Sequence, residues 1–301
     1  MKWTWTAFRV EQATAIREIV NELEPYQPLT LRQVHYQAVS KGLRVNTRSR
    51  YNDLSKLVKQ MRLDGYLSWD AIEDRSRVVG KKRGYEDSSE WMNIVLNAVG
   101  RYERCLIQGQ ETYVEVWVEK DALRHVFEQV SLPLCIRLVT TRGFSSVTLI
   151  KGYAERARAA IEAGQQPVLL FFSDFDPSGM EMIESVQKTV TGELHVRGVE
   201  FERPALTMEQ IEEYGLPYNP DALKKHDTRA KRFLREHGQY SVELDALHPQ
   251  VLQAIIRDAI EDYVDMGFVQ EQRQIEKEER AKLERVQNDI RKVLQTHGLR
   301  V

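Results

Sequence analysis

One stretch limits what this chain can fold into more than any other: Pro167-Val168-Leu169-Leu170-Phe171-Phe172-Ser173-Asp174-Phe175-Asp176-Pro177-Ser178-Gly179. The run from Val168 to Phe172 has no polar face, so it reads as a strand covered on both sides, as in the interior of a parallel sheet. Open α/β sheets bind their ligands at the carboxyl ends of such strands. Asp174 and Asp176 fall there, and two hard oxygen donors at that edge suit Mg2+ and phosphoryl chemistry. A plainer reading stands beside this one for Asp176, which is also placed to cap a helix with Pro177 at its first position. Capping does not account for Asp174.

A third carboxylate strengthens the metal reading. Thr112-Tyr113-Val114-Glu115-Val116-Trp117-Val118 is β-branched and aromatic, and Asp121 to Phe127 resumes at helical spacing. Glu119 therefore ends a strand, as Asp174 does. Between them lie a strand-like run, Leu134 to Thr140, and a helix-forming stretch from Ser146 to Ala163. This β-α-β-α-β rhythm with short connections predicts a doubly wound, mainly parallel sheet. If the strands are neighbours, Glu119, Asp174 and Asp176 converge on one edge.

A glutamate ending one strand and an Asp-x-Asp ending a later one resembles the Toprim domain. Val118-Glu119-Lys120-Asp121-Ala122, Thr141-Arg142-Gly143 and Asp174-Phe175-Asp176-Pro177-Ser178-Gly179 narrow the likeness to topoisomerase VI A subunits and the related meiotic double-strand-break transesterases. The resemblance implies a Rossmann-like Toprim fold with Mg2+ held by Glu119, Asp174 and Asp176. Ser241-Val242-Glu243-Leu244-Asp245-Ala246-Leu247 is similar to a later element of that family, which would add Glu243 or Asp245 to the metal site. Capping or salt bridging for the helix that begins near Pro249 is the other reading, and for Asp245 the preferred one.

The amino-terminal part points to nucleic acid independently. Between Arg32 and Arg83 thirteen Lys/Arg stand against five Asp/Glu, in a chain whose formal net charge is only -2. Such local asymmetry is the footprint of a phosphate-backbone binder, although a basic face can also be merely solvated. Helices are expected from Phe8 to Leu23, from Thr30 as N-cap to Lys41-Gly42, and from Arg48 to Arg62. Tyr66 to Ile72 reads as a short strand or wing. Together they suggest a winged helix-turn-helix whose third helix offers Arg48, Arg50, Lys56, Lys59 and Arg62 to double-stranded DNA.

Leu31-Arg32-Gln33-Val34-His35-Tyr36 is similar to the helical segment that carries the DNA nucleophile in those transesterases. The resemblance implies that Tyr36 attacks DNA with Arg32 as its helper. Residues four apart share a helix face, so Arg32 is placed to hold the phosphate that Tyr36 attacks. A phenol with a pKa near about 10 needs a base, a cation or a metal to act at neutral pH. The resemblance further implies a homodimer in which the tyrosine of one subunit works with the metal of the other. For strand passage it implies a separate ATPase partner of the B-subunit type.

The expected organisation is a winged-helix domain over 1–105, a Toprim domain over 106–250 and a helical extension over 251–301, read as an exposed helix or short dimerising coiled coil. The basic stretch Leu216 to Gly238 either lines a DNA channel or forms a charged helix. Two cysteines among 301 residues suggest a reducing, cytoplasmic setting and leave no zinc site built from cysteine. Met1 to Thr6 has no signal-peptide core, no run reaches a membrane span, and no phosphate-binding G-x-x-x-x-G-K-[ST] loop occurs. The expected function is Mg2+-dependent DNA cleavage through a 5'-phosphotyrosyl link. A Toprim nuclease that uses water, or a non-catalytic DNA-binding protein, are the alternatives.

Overall fold

The structure is a computed structural model that describes residues 3–72, 84–141, 143, 145–218, 228–238 and 240–299. The chain divides into two compact units, one formed by residues 1–75 with 111–263 and the other by 76–110 with 264–301. The first holds the α/β architecture. Its sheet has four parallel strands, β1 (Thr112–Val118), β2 (Arg137–Thr140), β3 (Gln166–Phe172) and β4 (Glu200–Glu202), in the order β2-β1-β3-β4. The chain leaves β1 for β2 on one side and then crosses to β3 on the other. The strand order therefore reverses between β1 and β3, the position at which doubly wound sheets open a crevice.

Both faces of the sheet are covered, which is why β1 and β3 read as near-continuous apolar runs. Trp117, Leu169 and Phe171 pack under Ile150, Tyr153, Ala154 and Ala157 of α6 (Val147–Glu162) and under Met182 and Val186 of α7 (Pro177–Lys188). On the opposite face Phe172 meets Phe127 of α5 (Arg124–Ser131), with ring centroids 5.0 Å apart. Ser146 caps α6 as its position in the sequence predicts.

Two strands are short, and β2 is shorter than the run Leu134 to Thr140 predicts. Leu132–Leu134 turns as a 3-10 helix and Cys135 is left-handed at φ 61°, so β2 starts only at Arg137. His195 and Gly198 also take positive φ, which confines β4 to Glu200–Glu202.

Amino-terminal to the sheet, α1 (Ala7–Glu22), α2 (Leu31–Ser40) and α3 (Arg48–Leu63) enclose a core of Ile16, Ile19, Val20, Leu29, Val34, Ala38, Leu54, Val58 and Met61. Thr30 and Gln33 form a reciprocal capping box that fixes the start of α2. The segment from Tyr66 to Ile72 forms no strand of a hairpin. It contributes one isolated bridge, Leu29 to Ile72, so the described residues of this region show three helices and that bridge.

The second unit pairs α4 (Ser88–Val99) with the carboxyl-terminal helix that follows α8 (Met208–Glu213), α9 (Thr228–His237) and α10 (Pro249–Glu261), namely α11 (Met266–Thr296). Gln287 donates to the Leu96 carbonyl at 2.8 Å, and Arg104 and Tyr102 both engage Glu279. No helix among the described residues is long and apolar enough to cross a membrane.

One charge lies inside the sheet layer. Glu115 on β1 is fully buried and accepts from Arg156 of α6 at 2.5 and 3.0 Å, from Trp117 Nε1 at 3.0 Å and from Tyr113 at 2.5 Å. Removing the acceptor strands these donors in the packed layer. Glu115→Ala is expected to destabilise the fold by about 2–4 kcal/mol, reduced from a fully buried pair because Arg156 is partly solvated. A urea unfolding midpoint that does not move would contradict this.

Candidate functional site at the sheet edge

Glu119 and Asp174 continue the adjacent strands β1 and β3 at their carboxyl ends. The Glu119 amide donates to the Phe172 carbonyl at 3.0 Å, and the Asp174 amide approaches Glu119 Oε2 at 3.4 Å. The two carboxylates are thus neighbours at the switch point, as the sequence predicts. Asp176 caps α7, with Oδ1 accepting from the Gly179 amide at 2.7 Å. Its plainer role is therefore real, and its carboxylate stays beside the other two. A Cβ at Gly179 would lie 2.2 Å from the Asp174 carbonyl oxygen. The first turn of α7 can seat against the end of β3 only because that residue has no side chain.

A second segment completes the edge. Phe175 and Val242 exchange backbone hydrogen bonds of 2.8 and 3.0 Å in an antiparallel bridge, and the Leu244 amide donates to Asp174 Oδ1 at 2.8 Å. These bonds deliver Glu243 and Asp245 to the carboxylates. Asp245 is fully buried and does not cap α10, whose N-cap is His248. Of the two plain readings of Asp245, capping is corrected, and its salt bridges run to Lys120 and Arg32.

At the centre stands Lys120, to which the sequence assigns no role. Its Nζ lies 2.8 Å from Asp174 Oδ2, 2.7 Å from Glu243 Oε2 and 3.2 Å from Asp245 Oδ1. An ammonium has three hydrogens to donate, and three carboxylates from two chain segments face it. Burial alone would lower the lysine's affinity for its proton, but Asp174, Asp245 and Glu243 outweigh that and keep it charged.

Helix α2 enters the same network. Arg32 Nη2 lies 3.0 Å from Glu243 Oε2 and its Nε 3.5 Å from Asp245 Oδ2, with 43% of the side chain still exposed. Tyr36, one turn on, is 2% exposed and hydrogen-bonds to Glu243. The pair four residues apart thus converges on one carboxylate 211 positions from Arg32. Burial, followed by the charges of Asp245 and Glu243, pushes the Tyr36 phenol well above its ordinary value and keeps it protonated. Burial opposes the charge on Glu243, but Lys120 and Arg32 prevail and bring it down to about 2. Glu119 moves the other way, to about 7, first through burial and then through the charges of Asp174 and Asp176. Burial also raises Asp176.

Among the described residues, no group of three or more His, Cys, Asp or Glu is arranged to hold a metal ion as it stands. Asp174 spends one oxygen on the Leu244 amide and the other on Lys120. The donor chemistry nevertheless suits a hard divalent cation, since Glu119, Asp174 and Asp176 are all oxygen donors and like charge disfavours Glu119 in its ionised form.

The basic candidates lie on α3. Arg48, Lys56 and Lys59 are exposed, and with Arg62 they span about a third of the helix circumference opposite the buried Leu54, Leu57 and Met61. Arg50 is exposed in the first turn, 3.8 Å from Asp53. Arg62 stacks over Trp69, 4.7 Å from the ring centroid, and donates to its carbonyl. Arg142, Lys224 and Lys225 lie outside the described residues, as do the side chains of Arg229, Lys231 and Arg232.

No protein-family model, no curated protein and no solved structure matches this chain.

His35, beside Tyr36, is 2% exposed and packs edge-on against Tyr36 and Tyr51. Burial, aided by Arg44 and Arg32, holds its pKa below the ordinary imidazole value. Below about pH 6.5 the unfolded chain therefore takes up a proton that the folded state refuses. Stability is expected to be complete above that pH and to fall as the pH drops beneath it. His35→Gln should make the fall shallower. Identical pH profiles of the thermal midpoint for the two proteins would contradict the assignment.

Proposed function

We propose that this protein is a Mg2+-dependent DNA-cleaving transesterase of the topoisomerase VI A-subunit type. In this reading the sheet edge is a Toprim centre and α1 to α3 are the DNA-binding region, a winged helix-turn-helix with α3 as the reading helix. Glu119, Asp174 and Asp176 would hold Mg2+, which supplies charge neutralisation at the scissile phosphate. The observation that carries the proposal is the convergence of Arg32 and Tyr36 on Glu243, within a network that also contains Asp174.

Each residue has a distinct task. Arg32, the most exposed member of the ion pairs, takes the phosphate. The Tyr36 oxygen bonds to phosphorus while the bond from phosphorus to the 3' oxygen breaks, leaving a 5'-phosphotyrosyl link and a 3' oxygen that takes a proton from water to become a hydroxyl. Glu243 is placed to accept the phenolic proton. In the resting arrangement Lys120 and Arg32 make it a poor base, and drawing them toward phosphate raises its basicity. Arg48, Lys56, Lys59 and Arg62 would follow the DNA backbone. A homodimer provides one site per strand, and strand passage would need a separate ATPase.

A second reading rests on the burial of Tyr36. At 2% exposure, bonded within its own chain, the phenol is not presented to a substrate. If it stays there, water is the nucleophile and the protein is a Toprim nuclease.

The two readings part on whether cleaved DNA stays attached. Supercoiled plasmid is incubated with protein and Mg2+, denatured, and run with and without proteinase. The transesterase should yield linear DNA that enters the gel only after proteinase treatment. Tyr36→Phe should abolish the linkage, and Arg32→Ala should slow its formation about 10²–10³-fold, as for loss of a donor to developing charge. Proteinase-independent cleavage that survives Tyr36→Phe would establish the hydrolytic reading instead.

A further inference from the structure

The Lys120 ammonium has three carboxylate partners at 2.7–3.2 Å. Its side chain is only 13% exposed, and those of Asp174, Glu243 and Asp245 are 9, 11 and 0% exposed. Asp245 Oδ2 is buried without a hydrogen bond, and Arg32 Nε at 3.5 Å is its nearest cation. Among the described residues, five carboxyl groups (Glu119, Asp174, Asp176, Glu243 and Asp245) gather around the cationic side chains of Lys120 and Arg32. Breaking one pair in such a setting leaves an uncompensated charge away from water, which costs more than the pair gained on forming.

We propose that Lys120 is a positioning residue, an internal counter-ion that holds Asp174 until a divalent cation and a DNA phosphate arrive together, so that the two ligands bind cooperatively. The inference rests on reading the sheet edge as a cation site. A divalent ion that reaches Asp174 alone meets the Lys120 ammonium at hydrogen-bond distance and displaces it into a cluster with nothing new to pair with. A phosphate that reaches Arg32 and Lys120 alone draws them from Glu243 and Asp245 and lies against the negative charge of Asp174. When both bind, the cation takes Asp174 with Glu119, and the phosphate takes the released ammonium and the exposed guanidinium. Asp174 then keeps a cation, and the ammonium displaced from it has the phosphate. Each ligand removes the cost the other would meet, and by linkage the effect is the same in either direction.

The test uses the full chain in a Tyr36→Phe background, so that cleavage by the tyrosine does not intrude. Mn2+ binding is measured by electron paramagnetic resonance of the free ion, with and without a double-stranded oligonucleotide. Oligonucleotide binding is measured by fluorescence anisotropy, with and without Mn2+, at constant ionic strength because the phosphate contribution depends on salt. The expected result is mutual tightening of about 10–100-fold, within the usual range for coupled sites.

Lys120→Gln removes the competing charge. Mn2+ alone should then bind more tightly than to the parent, and the coupling should shrink to a few-fold. A residue with only a structural role predicts the opposite sign, weaker Mn2+ binding on its loss. Lys120→Arg keeps the charge and should keep most of the coupling, and the coupling measured in the parent remains decisive even if Lys120→Gln does not fold. Mn2+ and DNA that bind independently, or a Lys120→Gln protein whose Mn2+ affinity is equal or weaker, would overturn the inference while leaving the metal site intact. Absence of Mn2+ binding even with saturating DNA would overturn the metal reading itself.

Discussion

Everything at the sheet edge depends on one ammonium group. Lys120 follows Glu119 directly, and its Nζ draws Asp174, Glu243 and Asp245 to within 3.2 Å. Without a cation there, the ends of β1 and β3 and the Glu243–Asp245 segment would set like charges against one another at low exposure. With it, two separate stretches of chain lock into one arrangement. Arg32 extends the same arrangement to α2, so ion pairs join the helical region to the sheet edge.

That arrangement gives the tyrosine its character. Tyr36 lies on a helix with little solvent contact around it, between Val34 and Ala38 of the helical core, and is bonded to Glu243. A neutral phenol held by a strongly acidic carboxylate is inert until its neighbours change partners. Reactivity in such a site is governed by which charges are nearby at a given moment, and in the proposed reading phosphate and a divalent cation are the ligands that change them. The proposed dimer, in which a tyrosine serves the partner's carboxylates, would require Tyr36 to leave Glu243. The seat it occupies here is within its own chain.

Much of the sheet is legible in the sequence because covering a strand on both faces removes every polar residue from it. Val168 to Phe172 and Val114 to Val118 have that form apart from Glu115, and the carboxylates that end them stand out against it. Helix starts are legible where a hydroxyl cap precedes a periodic run, as at Thr30 and Ser146. The late start of β2 is not, because the left-handed residue before it is Cys135, with no glycine at that position to mark it. Glu115 reads as an ordinary strand residue, and only the fold brings Arg156 to it. The joint role of Lys120 and Asp245 is hidden for a similar reason. They are 125 positions apart, and ion pairing over that distance leaves no local pattern. The nearby Pro249 suggests capping by Asp245, whereas His248 does the capping.

In the proposed reading the cation at this edge, organic at rest and metallic in use, belongs to Glu119 and Asp174. Crystals of the protein with a DNA duplex and Mn2+, measured for anomalous scattering of manganese, test it most directly. The expected result is an anomalous peak between Glu119 and Asp174, with the Lys120 ammonium moved off Asp174 toward a phosphate. A peak located elsewhere, or Lys120 still bound to Asp174 with DNA and Mn2+ both present, would contradict it.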